Sequence, residues 1–334
     1  MTLPSLGIAL LPVLLFLVGL ILMDSYKLVA RRTVLAALAA GAAAALLAYG
    51  VNVLLLRVGV APALLKGALA PLVEETLKAL WVAHLVRRER VGFLVDAGIL
   101  GFAVGAGFAL VENLYYQEAL HDPNPILWVV RGLGTAVMHG GTTAIFGIVS
   151  KDRADRAGAA TLACFVPGLA LAAVAHAAFN LLAFNPLLGV VAVLVGMPLL
   201  LLAAFERSEQ ATRDWLGSDL DADIELLEQV HEGTIPDTPT GQYLESLRSH
   251  LPGPVVADIL CLLEIHLELA LRAKGMLLAR AAGLDVPPDP DVRARLAERE
   301  YLEQAIGPTG RLAVRPLVRR HGRDLWQIHL MRQR

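Results

Sequence analysis

Residues 1 to about 205 are almost all apolar, interrupted by short polar clusters at fairly regular intervals. Each uninterrupted run approaches or exceeds the roughly 20 residues an α-helix needs to cross a bilayer. The pattern predicts seven spans, at roughly 4–23, 33–56, 61–86, 91–115, 126–149, 158–184 and 187–205. Six or eight is the rival count, because 158–205 can divide differently around Asn185-Pro186. From 206 onward charges are interleaved with apolar positions at helical spacing. In 258–280, Glu264, His266, Glu268, Arg272 and Lys274 are too many charges for an eighth span, and Glu264, His266 and Glu268 read as a solvated helix face. The expected fold is therefore all-α: a polytopic membrane helix bundle of about seven spans over 1–205, then a mostly helical soluble region over 206–334. Pro-rich punctuation falls at 233–241 and 283–291.

The polar clusters set an orientation. Lys27, Arg31 and Arg32 follow the first span, Arg87, Arg88 and Arg90 the third, and Lys151, Arg153 and Arg156 the fifth. The alternate loops carry Arg57 or no basic residue. By the positive-inside rule the N-terminus lies outside the cell membrane and the C-terminal region is cytoplasmic. Tyr115, Tyr116 and Trp128 flank an outer loop, where interfacial aromatics belong. The first run has no basic residue before it and no small-residue cleavage pattern, so it reads as a retained helix.

Composition narrows the partners. A net charge of −2 gives no reason to invoke nucleic acid. Cys164 and Cys261 fall in different regions, which excludes a disulfide framework and a CxxC metal knuckle. The basic end, with Arg311, Arg315, Arg319, Arg320 and Arg323, reads as solvated surface or as a contact with anionic lipid.

The candidate chemistry lies inside the apolar runs. Glu74, Glu75 and Lys78 sit together near the middle of the third span, where each charge costs on the order of 2.5–3.5 kcal/mol on insertion scales. Lys78 is i,i+4 from Glu74 and i,i+3 from Glu75, so it can pair with one of them and leaves the other to be explained. Pro71 lacks an N–H and would free the Gly67 carbonyl at the same level. In the fourth span Gly101, Gly105, Phe108 and Glu112 share one face, with Asn113 following. Gly101-xxx-Gly105 predicts close approach of a neighbouring helix. The fifth span carries His139, with Thr135 and Thr143 on its face, and the sixth carries His176 and Asn180 at i,i+4. No other span contributes comparable groups, and Asp96 and Arg131 lie near span ends, where they would snorkel. Depth along the helices puts the site in the outer half of the bilayer. Carboxylates with imidazoles suit hydrolysis by an activated water. They also suit a metal: Glu112, His139 and His176 form a His₂Glu donor set like that of catalytic zinc sites, with Glu74 or Glu75 left as base.

The ordered motifs E-E-x-x-K (Glu74, Glu75, Lys78), F-x-x-x-E-N (Phe108, Glu112, Asn113), an isolated intramembrane His139, and H-x-x-x-N (His176, Asn180) resemble the PrsW family of intramembrane proteases over roughly 60–205. That family is related to the CAAX-processing and bacteriocin-immunity proteases. The related CAAX enzymes carry E-E-x-x-x-R and F-x-x-x-H, and the last motif of the PrsW branch is often H-x-x-x-D, where this chain has Asn180. The resemblance implies an endopeptidase that cuts a membrane-anchored protein, such as an anti-sigma factor or another signalling protein. It implies that Glu74 activates water, Glu75 pairs with Lys78, and His176 and Asn180 hold the oxyanion. Glu112 and His139 would orient the water or bind metal, and Phe108 and Asn113 would support them. It leaves open a zinc enzyme or a metal-free glutamic one. The motif core is about 60–185, and residues from 206 onward lie outside the resemblance. Two other readings use the same residues: a proton- or cation-coupled transporter with the carboxylates as a relay, and an inactive scaffold whose working part is the tail. No inverted repeat supports the transporter.

Overall fold

A computed structural model of the chain describes residues 3–23, 29–120, 128, 130–181, 186–284 and 291–318. All regular structure among them is helical, and it falls into two compact units, Met1–Glu209 and Gln210–Arg334. The first unit contains α1 (Leu3–Met23), α2 (Arg31–Arg57), α3 (Ala70–Arg87), α4 (Leu94–Leu120), α5 (Ala136–Ala157) and α6 (Leu162–Leu181). Helix α7 (Pro186–Glu232) begins in the first unit and ends in the second. The second unit continues with α8 (Pro239–Leu247), α9 (Gly253–Ala281), α10 (Asp291–Ala305) and α11 (Gly307–Val318).

Among the described residues, five stretches are long and apolar enough to cross a membrane: Arg31–Arg57, Leu94–Ala119, Val130–Ala157, Leu162–Leu181 and Leu188–Ser208. The other two expected spans are also helical but differ in kind. The apolar stretch Leu10–Leu22 of α1 is shorter. Helix α3 has 18 residues, three of them the charges at 74, 75 and 78. Large apolar side chains such as Leu22, Leu46, Leu80, Leu162 and Val174 face outward, as lipid contact requires. Lys27, Asn185, Arg319, Arg320 and Arg323 lie outside the described residues.

The unit is organised around α4, which packs against α5 and α2. Its Ala97, Ile99, Phe102, Ala103, Val104 and Ala106 are fully buried. Small residues make this possible. A Cβ at Gly101 would lie 2.5 Å from the Thr143 carbonyl oxygen of α5, and one at Gly105 would fall on the carbonyl of His139. The expected Gly-xxx-Gly surface therefore meets the helix that carries the histidine. The alanine run of α2 brings Ala44, Ala45 and Ala48 against Phe108. Asp96 does not snorkel. It is buried, and its Oδ2 accepts the Gly92 and Phe93 N–H groups at 3.1 Å each, tying down the start of α4.

Two π-helical stretches interrupt the regular geometry: Leu65–Leu69 before α3 and Val130–Thr135 before α5. In a π register the i+5 partner of Lys66 is Pro71, which has no N–H. The Lys66 carbonyl is instead capped by Asn180 Nδ2 at 3.1 Å. The carbonyl found capped is thus that of Lys66, not of Gly67, the residue an α register would leave open.

The second unit is built on α9. Ile259, Leu262, Ile265, Leu269 and Ala273 repeat at three- and four-residue spacing and pack against Leu296 and Leu302 of α10, Ile306 of the turn that follows, and Val314 of α11.

Candidate active site

Glu75 is the hub of the polar cluster. It is 2 % exposed, and a single oxygen, Oε1, accepts from Lys78 Nζ at 2.6 Å and from Thr142 Oγ1 at 3.1 Å, and lies 2.8 Å from His176 Nδ1. Of the two carboxylates within its reach, Lys78 thus takes Glu75. Lys78 is fully buried, 3.2 Å from His139 Nδ1 and 5.0 Å from the Phe108 ring centre. Three helices, α3, α5 and α6, are joined through this one carboxylate.

Glu74, the neighbour, points elsewhere. Its Oε1 accepts from Asn52 Nδ2 of α2 at 3.3 Å, and its Oε2 stands 3.8 Å from His176 Nε2. Glu112 Oε2 lies 3.0 Å from His139 Nε2. The two imidazole rings meet edge to face, centres 4.8 Å apart, and Phe108 closes the other side of His139 at 4.9 Å. Thr143 Oγ1 donates to the His139 carbonyl at 3.0 Å. Glu74, Glu112, His139, His176 and Asn180 all line one cavity of about 620 Å³.

The expected residues therefore converge, with their contacts now specified. Asn180 lines the cavity, but its amide N–H₂ donates to the Lys66 carbonyl. Asn113 Oδ1 accepts from Arg131 Nε at 3.1 Å. Arg131, expected to snorkel, lines the cavity instead, with its guanidinium 3.8 Å over the Tyr116 ring. Asn52 and Thr142 were missed. A lone amide in an apolar helix was a visible signal for Asn52, whereas nothing separates Thr142 from Thr143 before α5 has packed.

Among the described residues, two donor groups could hold a metal. In the first, one ligand atom each of Glu74, His139 and His176 lies within 4.8 Å of the others. This is a His₂Glu set, but the carboxylate is Glu74 and not the expected Glu112. Its chemistry fits a zinc-class ion. His176 also has the outer carboxylate partner that metal-bound histidines use, since Glu75 at Nδ1 leaves Nε2 facing the cavity. At His139 the Nδ1 partner is Lys78, so Nε2 is a ligand only when Lys78 does not donate there.

The second group, His231, Glu264 and Glu268, lies in the second unit. Glu268 is paired with Arg295 at 3.1 Å, and that guanidinium opposes a cation. His266, expected on a solvated face with Glu264 and Glu268, points the other way into the core. Burial, with Arg299 and Lys274 nearby, pushes its pKa down to about 3.

Residues 27–203, more than half of the chain, match the family described as PrsW family intramembrane metalloprotease. No curated protein and no solved structure matches the chain.

Proposed function

Since the chain belongs to the PrsW family of intramembrane metalloproteases, we propose that it hydrolyses a peptide bond of a membrane-anchored protein, within or beside that protein's anchor. The observation that carries this reading is the meeting of Glu74, His139 and His176 within 4.8 Å at the wall of a cavity in the membrane unit.

Glu74, His139 and His176 would hold a zinc-class ion. Such an ion, when bound, supplies Lewis acidity and a water that ionises near neutral pH. Glu75 keeps the His176 Nε2 lone pair turned to the cavity by accepting at Nδ1, and Lys78 and Thr142 hold Glu75 in place. Glu112, half-buried at the cavity edge, takes the proton of the attacking water and returns it to the leaving amine. This exchanges the roles the motif resemblance implies for Glu74 and Glu112, because Glu74 stands in the converging donor group.

A second reading rests on the Lys78–His139 contact. An ammonium donating to Nδ1 leaves the ring proton on Nε2, facing Glu112. His139 is then a hydrogen-bond donor, and a water between Glu74 Oε2 and His176 Nε2 is activated by Glu74 without an ion.

One comparison tests both readings: bound zinc in the purified protein, and new protein N-termini in membranes of cells expressing wild type, Glu74→Gln, Glu112→Gln or His139→Ala. Zinc lost in Glu74→Gln and His139→Ala but kept in inactive Glu112→Gln is the outcome expected of the first reading. Zinc-free cleavage that requires Glu74 is the outcome expected of the second. If no new N-terminus depends on Glu74, the peptidase assignment fails for this chain.

A further inference from the structure

Acyl transfer needs a donor aimed at the carbonyl oxygen, which becomes negative as water adds. Both amides of the cavity wall are engaged: Asn180 Nδ2 caps the Lys66 carbonyl and Asn52 Nδ2 bonds Glu74. Behind the wall, Thr142 Oγ1 bonds Glu75, and Lys78 serves Glu75 and His139. The oxyanion role implied for Asn180 would require breaking its contact with the π-helical turn.

Arg131 is different. It sits in the π-helical stretch Val130–Thr135, where an extra residue in the turn re-aims a side chain. Asn113 Oδ1 holds its Nε at 3.1 Å, and Tyr116 carries the guanidinium plane at 3.8 Å. Its Nη2 is buried and has no hydrogen-bond partner among the described residues. The nearest anion, Glu112 Oε2 at 3.4 Å, forms an ion pair with it but is not aligned for a hydrogen bond. A rigidly clamped fork with one unused N–H₂, at the wall that Glu74, Glu112, His139 and His176 also line, is preorganised for a substrate oxygen.

We propose that Arg131 is a catalytic residue whose Nη2 donates to the carbonyl oxygen of the scissile peptide. Water adds to the carbonyl carbon and loses its proton to a carboxylate, and the C=O electron pair moves onto the oxygen that Arg131 holds. The pair returns as the C–N bond breaks, and the nitrogen leaves with the proton. The inference rests on the peptidase reading above.

The test starts from the N-termini whose appearance requires Glu74, since these define a substrate. Arg131→Ala is expected to lower kcat on that substrate by about 10²–10³, with KM, bound zinc and melting temperature near wild type. Added guanidinium ion is expected to recover part of the rate. A purely structural role would lower melting temperature with activity, and guanidinium would not rescue it. That result overturns the proposal, as does an unchanged kcat. If Arg131→Ala fails to fold, Arg131→Lys carries the test: it keeps the charge but not the fork, and kcat is expected to fall at least about 10-fold. Wild-type activity in Arg131→Lys overturns the proposal. If no N-terminus depends on Glu74, the peptidase reading fails and takes this inference with it. If Glu74-dependent cleavage persists unchanged without Arg131, only this inference fails.

Discussion

A buried charge in a membrane helix is tolerable only with a partner, and Glu75 and Lys78 are each other's. Removing one side leaves the other uncompensated, at a cost of about 3–5 kcal/mol. Glu75→Gln alone is therefore expected to lower the melting temperature of the detergent-purified protein sharply. Glu75→Gln with Lys78→Met should recover much of that loss, yet lose most activity because a neutral amide oxygen replaces the carboxylate that orients His176. Full activity in the double variant would show that Glu75 is only a counter-charge. In the second unit His266 supplies a pH dependence. Its folded pKa of about 3 lies below the ordinary histidine value of 6.5, so between those values the unfolded chain binds a proton that the folded chain does not. Stability then falls as pH drops through this window, by about 2 kcal/mol between pH 6.5 and 5. The protection factors of the α9 amides should fall accordingly at pH 5, and His266→Leu should remove that increment. An unchanged increment in His266→Leu would assign the effect to the carboxylates.

At the scale of elements, the histidine helix is positioned by glycine. Gly105 lets α4 touch the backbone of α5 at His139, so the same contact sets helix spacing and places His139. Overpacking of this kind costs typically about 1–3 kcal/mol. Gly105→Ala is expected to lower both melting temperature and zinc content. Gly50→Ala, where an added Cβ meets open space, should change neither much. Equal behaviour of the two variants would refute the close-approach account. The two π-helical turns act at the same scale, each turning a cavity-lining residue, Lys66 or Arg131, away from where an α register would put it.

At the scale of the whole molecule, we propose from the positive-inside pattern that the C-terminal region lies in the cytoplasm. Cys261 is exposed and Cys164 is buried. A membrane-impermeant maleimide should therefore label Cys261 in inverted membrane vesicles and leave it unlabelled in intact spheroplasts. Labelling from the outer side would reverse the topology and move the site to the inner half of the bilayer.

Helical spans, a helical polar region and a four-helix site were legible without coordinates because an apolar background makes each ionisable residue conspicuous. Glu74, Glu112, His139 and His176 stood out for that reason, and Gly101 and Gly105 did so by spacing. The motif resemblance pairs Lys78 with Glu75 where spacing alone leaves the choice open; which carboxylate joins the histidines, and the contacts of Asn52, Thr142 and Arg131, were decided only by tertiary structure. These depend on contacts between residues 18 to 101 positions apart, and on a π register that shifts side chains within a helix of unchanged hydrophobicity. Local pattern determines which residues cannot face lipid. The packed bundle decides which of them meet, because distance and angle between side chains are set by where the helix backbones touch.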